Sequence, residues 1–187
     1  MPLMLRCCVC LLVLLLGACA SDPLAPVPDS TTGFELSGRM AVRSRDSAFS
    51  SALRWKQGGG TDEIWLNTPL GQTQAHLRQD RSGAVLTTAE QKQHRAASIE
   101  SLTQTAFGWR FPLAGLRYWV LGQIAPGVPA QGLTRDERGR ILSLRQADWD
   151  VAFEYAEPEA VRPARLELAG AGAQVRLVID RLELDQP

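Results

Sequence analysis

In Phe34-Glu35-Leu36-Ser37-Gly38-Arg39-Met40-Ala41-Val42-Arg43, apolar and polar side chains alternate, with Phe34, Leu36, Met40 and Val42 on one side and Glu35, Ser37, Arg39 and Arg43 on the other. A period of two marks a strand with one face turned to a core. The alternation returns in Phe49 to Trp55 (Phe49, Ser51, Leu53, Trp55), in Glu63 to Thr68, and in Gln72 to Arg78, where Thr73, Ala75 and Leu77 oppose Gln72, Gln74, His76 and Arg78. Breaks such as Gln57-Gly58-Gly59-Gly60 are too short for a parallel crossover, so these strands run antiparallel. Shorter strands at Ala84 to Thr88 and Lys92 to Ala96 extend the meander.

The period then changes. Ile99, Leu102, Ala106 and Phe107 recur at helical spacing behind Ser98, and Gly108 ends the run. A second short helix holds Leu113, Leu116, Trp119 and Val120 and closes at Gly122. Strands resume at Gly132 to Arg135, Ile141 to Gln146, Trp149 to Tyr155, Pro163 to Leu168 and Val175 to Leu184. The expected fold is mainly β with two helices, a single curved antiparallel sheet of ten or eleven strands. Its apolar face must be covered by a second sheet, by closure, or by helices. Two short helices are little cover, so an unclosed barrel with an unfilled apolar cavity competes with a filled barrel or sandwich.

Upstream of the strands the sequence has another character. Arg6 precedes an apolar run from Cys7 to Leu16, shorter than the roughly 20 residues of a membrane-spanning helix, which reads as a cleaved signal peptide over residues 1–18. Leu16-Gly17-Ala18-Cys19 resembles the lipobox of bacterial lipoproteins, which implies lipidation of Cys19; the alternative is ordinary secretion with cleavage near Ala18 or Ala20. Of four cysteines, Cys7, Cys8 and Cys10 leave with the signal, and the remaining thiol has no partner for a disulfide. Ala20, where enteric lipoproteins kept at the inner membrane have aspartate, implies by the same resemblance an outer-membrane location. Residues 19–33 read as the lipidated N-terminus and a tether, whose dozen residues from Ser21 to Thr32, with Pro23, Pro26 and Pro28, reach at about 3.1 Å per residue roughly 35 to 40 Å from the membrane. The folded domain is expected over residues 34–187.

Composition excludes several functions. Twenty Lys and Arg balance 20 Asp and Glu, so no basic excess points to nucleic acid. His76 and His94 fall on the apparent outer faces of their strands with no nucleophile pattern beside them, and no Cys and His cluster has metal-ligand spacing. Asp148 and Asp150 flank Trp149 as a candidate acid and base pair, or as a solvated face.

Three segments read together resemble the LolB family of outer-membrane lipoprotein receptors: Gly38-Arg39-Met40-Ala41-Val42; Trp55 with Leu66-Asn67-Thr68-Pro69-Leu70-Gly71-Gln72-Thr73; and Phe111-Pro112-Leu113 with Leu116-Arg117-Tyr118-Trp119-Val120-Leu121-Gly122. The resemblance runs in order from about Phe34 to Leu184. It implies an unclosed barrel with a helical lid, like the periplasmic carrier LolA, and a monomer that takes acylated lipoproteins from that carrier and releases them into outer-membrane lipid without cofactor, metal or catalysis. The expected acyl-chain cavity is lined by Leu53, Trp55, Leu66, Trp149 and Val151, with Phe107, Leu116 and Trp119 from the lid. Pro69, Leu70 and Gly71 form the expected membrane-insertion loop. On the residues alone Leu70 either projects from the turn or folds back over the rim; the resemblance implies that it projects. Arg110 and Arg117 are expected to meet an acidic rim on the carrier. One departure is the ending Leu182-Glu183-Leu184-Asp185-Gln186-Pro187, where the family commonly has a tryptophan, which leaves the register of the last strand open.

Overall fold

Alternating strands joined by tight turns build one sheet in the computed structural model, which describes residues 33–45 and 47–185. The expectations for residues 1–18, for Cys19 and for the tether up to residue 32 lie outside the described residues. In the N-terminal half β1 (Phe34–Ser44), β2 (Ala48–Gly58), β3 (Thr61–Asn67), β4 (Thr73–Asp80), β5 (Gly83–Thr88) and β6 (Gln93–Ala96) follow as a meander. Helices α1 (Ile99–Phe107) and α2 (Leu113–Trp119) come next. A second meander follows, of β7 (Gln131–Arg135), β8 (Ile141–Gln146), β9 (Trp149–Glu154), β10 (Arg165–Gly170) and β11 (Ala173–Leu184).

The order across the sheet is β6-β5-β4-β3-β2-β1-β11-β10-β9-β8-β7, so the first and last strands pair at its centre and β6 and β7 are its two edges. The barrel is therefore unclosed. The last strand's register is set by Phe34 opposite Leu184, with one shift at Ser37/Gly38. Gly38 belongs at that bulge because a Cβ there would lie 2.1 Å from the Val178 carbonyl oxygen.

One face of the sheet carries the core, including Phe34, Leu36, Met40, Val42, Trp55, Ile64, Val151, Phe153, Leu166 and Leu177. Both helices contribute to it, through Ile99 and Leu102 and through Leu113, Leu116 and Trp119. The capping expected of α1 is present: Ser98 accepts from the Ser101 N–H at 3.2 Å, and Gly108, at φ 76°, returns its own N–H to Gln104 at 3.1 Å. Residues from Thr31 to Pro187 form a unit in their own contacts and close this core among themselves, as an autonomously folding domain must. No described helix is long and apolar enough to cross a membrane.

One face assignment needs correction. His94 lies opposite Leu86 in the β5–β6 pairing and so shares the inner face, where the short edge strand leaves it exposed. His76 is on the outer face as expected, stacked on Trp65 with ring centroids 5.0 Å apart.

Candidate functional site

Strands β3 and β4 are joined by Thr68-Pro69-Leu70-Gly71, and the chemistry of these residues fixes the turn. The Gly71 N–H donates to the Thr68 carbonyl at 2.9 Å, Thr68 Oγ1 accepts from the Gln72 N–H at 3.1 Å, and Gly71 takes φ 82°. Proline second in a turn and glycine in the left-handed region after it give a tight hairpin that turns the intervening side chain away from the sheet. Leu70 is accordingly 89% exposed, the most exposed large apolar side chain among the described residues.

The strands leading into and out of that turn also wall a cavity. Leu66, Gln74 and Ala75 line a partly open space of about 210 Å³ together with Met40, Phe49, Ser51, Ile64, Leu77 and Leu86, and the roof is Thr103 and Phe107 of α1 with Trp109 and Phe111 of the following segment. Phe107 is 48% exposed, so it belongs to both the cavity wall and the outer surface. The lining is apolar apart from a few atoms, most of them engaged. Ser51 Oγ donates to the Asn67 carbonyl at 2.8 Å. Thr103 Oγ1 accepts the Phe111 N–H at 2.9 Å and donates to the Glu100 carbonyl at 3.2 Å. The indole N–H of Trp109 is buried with no partner among the described residues.

Of the eight residues expected to line an acyl cavity, the structure brings Leu66 and Phe107 to this wall. Leu53, Trp55, Leu116, Trp119 and Trp149 are packed core, and Val151, also buried, borders a separate trough on the C-terminal strands. Two of these six are fixed by polar contacts that periodicity does not reveal. Trp55 Nε1 donates to Asp62 Oδ1 at 3.1 Å, and Trp119 Nε1 donates to Gln146 Oε1 at 2.9 Å. Gln146 in turn accepts the Ala125 N–H and donates to the carbonyls of Ala125 and Val128, so α2 and the segment after it are bound to β8. The space between α2 and the sheet is thus filled, and the helix-roofed apolar space lies under α1.

Arg117 also has a different place from the one expected. Its guanidinium spans the buried Asp62 carboxylate, with Nε 3.1 Å from Oδ1 and the second nitrogen on Oδ2. A guanidinium that neutralises a buried carboxylate is not available to a partner, so the docking role is withdrawn for Arg117. Arg110 is exposed beside the lid. Asp150 is exposed and pairs with Arg145 at 3.3 Å, as part of a solvated face. Among the described residues no group of three or more His, Cys, Asp or Glu could hold a metal.

A larger hollow lies elsewhere. A trough of about 1250 Å³ runs across β1, β2 and β7 to β11, but ion pairs such as Arg176–Glu167 at 2.9 Å lie along it. A charged, shallow surface cannot hide alkyl chains from water, so volume ranks below chemistry here.

Sequence reasoning missed Met40, Phe49, Ile64, Leu77 and Leu86 as cavity wall, although it placed Met40, Phe49 and Leu77 on inward faces. It also missed Trp109 and Phe111 in the roof. Trp109 lies between the helical repeats, where no periodicity marks it.

The sequence matches the family described as "Outer membrane lipoprotein LolB" over residues 32–181. An outer-membrane lipoprotein LolB from Nitrosomonas europaea is 38% identical over 152 residues, covering 79% of this chain and 71% of that protein. One from Thiobacillus denitrificans is 33% identical over 169 residues, covering 88% and 90%. In fold alone, the domain is similar to a solved structure from Vibrio parahaemolyticus described as an outer-membrane lipoprotein-sorting protein domain, with a TM-score of 0.52 at 11% identity over 82% of this chain and 86% of that one. Eleven antiparallel strands left unclosed, a helix-roofed apolar cavity and these relatives lead to one assignment: the chain belongs to the LolB family of outer-membrane lipoproteins.

Proposed function

We propose that this protein is the outer-membrane receptor that accepts acylated lipoproteins from the periplasmic carrier LolA and inserts them into the outer membrane, itself anchored through a lipid on Cys19 and held off the surface by residues 19–33. The observation that carries the reading is the coupling of an apolar cavity to an exposed apolar tip: Leu66 and Ala75 line the cavity on the two strands that the Pro69-Leu70-Gly71 turn connects. In this reading acyl chains enter beneath α1, and Leu70 meets the bilayer first when they leave.

Binding and release need no covalent step, cofactor or metal, and the protein works as a monomer. Each methylene withdrawn from water is worth about 0.8 kcal/mol, so three acyl chains cannot travel through the periplasm unshielded. With no nucleotide to drive it, transfer must run downhill from carrier to receptor to bilayer. The cavity is smaller than the roughly 300 to 1,000 Å³ of ligand sites, so α1 lifts to admit its load.

An assembly lipoprotein that offers a sheet edge to a partner is the other reading, and the edges argue against it. β6 has four residues, and β7 has five with two irregularities of register, so neither is a long flat template for another strand.

The test incubates the domain from Thr31 to Pro187 with its own carrier's lipoprotein complex and follows the cargo, comparing the wild type with Leu70→Glu. Cargo should move to both proteins and reach liposomes only from the wild type. Cargo that stays on the carrier in both cases refutes the receptor reading.

A further inference from the structure

One polar group in the residues that line the cavity is left unexplained by its neighbours. Trp109 is 2% exposed, belongs to the cavity wall, and packs edge-on against Phe111 with centroids 6.1 Å apart. Its indole nitrogen can only donate, and it has no acceptor among the described residues. Buried donors are rarely left in this state, and each exception calls for a cause. The other buried polar groups of the wall do not leave such a vacancy: the Ser51 and Thr103 hydroxyls already donate to the carbonyls of Asn67 and Glu100. A water molecule is a poor substitute, because an ordered buried water needs two to four polar partners and this apolar space offers few.

Resting on the reading of this space as an acyl-chain site, we propose that the Trp109 indole N–H recognises the carbonyl oxygen of a fatty acyl group, so that the cavity binds acyl esters and amides in preference to bare alkyl chains. A lipoprotein's acyl chains join its cysteine and glycerol through such carbonyls, and each is an acceptor without a donor. Sinking the chain into the cavity would strip that oxygen of water. The donor compensates for the loss and sets how deep the chain can slide, since the carbonyl has to stop at Trp109. An alkane chain gains the apolar contacts and nothing else, and an ether has a CH2 where the carbonyl oxygen would meet the donor, its own oxygen being a weaker acceptor one atom further along.

The experiment measures binding of 1-decanoylglycerol, of the matching decanamide of ethanolamine, and of the ether 1-O-decylglycerol to the domain from Thr31 to Pro187 by calorimetry, in the wild type and in Trp109→Phe. A net hydrogen bond predicts that the wild type binds the carbonyl ligands about three- to tenfold more tightly than the ether, and that Trp109→Phe removes the difference. Ester favoured over amide would assign the donor to glyceride chains, and the reverse to the N-linked chain. A second readout leaves the fold intact: the Trp109 indole N–H resonance of the wild type should move downfield with ester or amide and not with ether. Equal wild-type affinities for all three ligands, a preference that survives in Trp109→Phe, or an indole resonance indifferent to the carbonyl would each overturn the proposal while leaving the acyl cavity standing. Failure of every ligand to bind would remove the acyl cavity itself, and this inference with it.

Discussion

Replacing Arg117 by Met should destabilise the domain by about 2 to 4 kcal/mol, because the substitution strands a buried charge. Asp62 is fully buried on the inner face of β3, and its carboxylate is satisfied by Trp55 from the sheet and by Arg117 from α2. Breaking a buried ion pair by removing one member costs about 3 to 5 kcal/mol. The Arg117 side chain keeps 31% of its surface, so water can follow it and part of the penalty is relieved. With a urea dependence of about 2 kcal/mol per molar, the unfolding midpoint should fall by roughly 1 to 2 M. Removing the charge as well, in Asp62→Leu with Arg117→Met, should recover all but about 1 kcal/mol, the residue being the Trp55 N–H left without its acceptor. Urea titration followed by tryptophan fluorescence measures all three proteins. A loss under about 0.5 kcal/mol in Arg117→Met, or a double variant no better than the single one, would refute the assignment of Arg117 to the core and reopen its role in docking.

Three further outcomes follow from the same geometry. Gln146→Leu should cost about 2 to 4 kcal/mol by chemical denaturation, because it strands the Trp119 N–H and the backbone groups that Gln146 pairs at Ala125 and Val128. Gly115→Ala should also destabilise, by about 1 to 3 kcal/mol, although alanine is the better helix former, because its Cβ would lie 2.4 Å from the Trp119 ring; a raised melting temperature would contradict this. Burial pushes the Asp136 carboxyl up, but the Arg140 side chain and the N–H groups of Arg140 and Arg138 outweigh it and hold it below the usual carboxylate range. Its stabilisation is therefore present above the unfolded value of about 3.9 and is lost as pH falls through the lower folded value, so Asp136→Asn should lower the melting temperature at pH 7 and leave it unchanged in strong acid.

What could be read from the sequence is what has a period. Phe34, Leu36, Met40 and Val42 mark an inner face because strand geometry repeats every two residues, and all four are buried. Ser98 and Gly108 mark helix ends because capping has its own residue chemistry. The tract from Ala156 to Ala164 shows the limit: it has no strand, and Arg140 holds it by donating to the carbonyls of Glu157, Pro158 and Ala160. Side-chain bonds to distant backbone leave no rhythm in a sequence. The same holds within the site. Trp55, Trp119 and Trp149 looked like cavity wall because large apolar residues on an inner face are the raw material of either outcome. Whether such residues enclose a space or fill it depends on what packs opposite them, and α2, held by Asp62 and Gln146, fills the space between itself and the sheet.

This asymmetry decides which helix can move. Raising α2 would uncover Leu113, Leu116 and Trp119 and break the Asp62 and Gln146 contacts, each already costly alone. Raising α1 uncovers Ile99 and Leu102, worth about 1.5 to 3 kcal/mol each, and separates a few hydrogen bonds, the Ile99 N–H to Gln79 Oε1 at 2.6 Å and the Ala114 N–H to Glu100 Oε1 at 3.0 Å among them. Opening at α1 therefore costs several kcal/mol, enough to keep the helix on the sheet when the cavity is empty. Ten buried methylenes are worth about 8 kcal/mol against water, but a chain handed over by the carrier is already shielded and brings only the difference between the two sites. Cargo therefore opens α1 only where its contacts with this cavity exceed those it leaves on the carrier by at least the cost of parting α1 from the sheet.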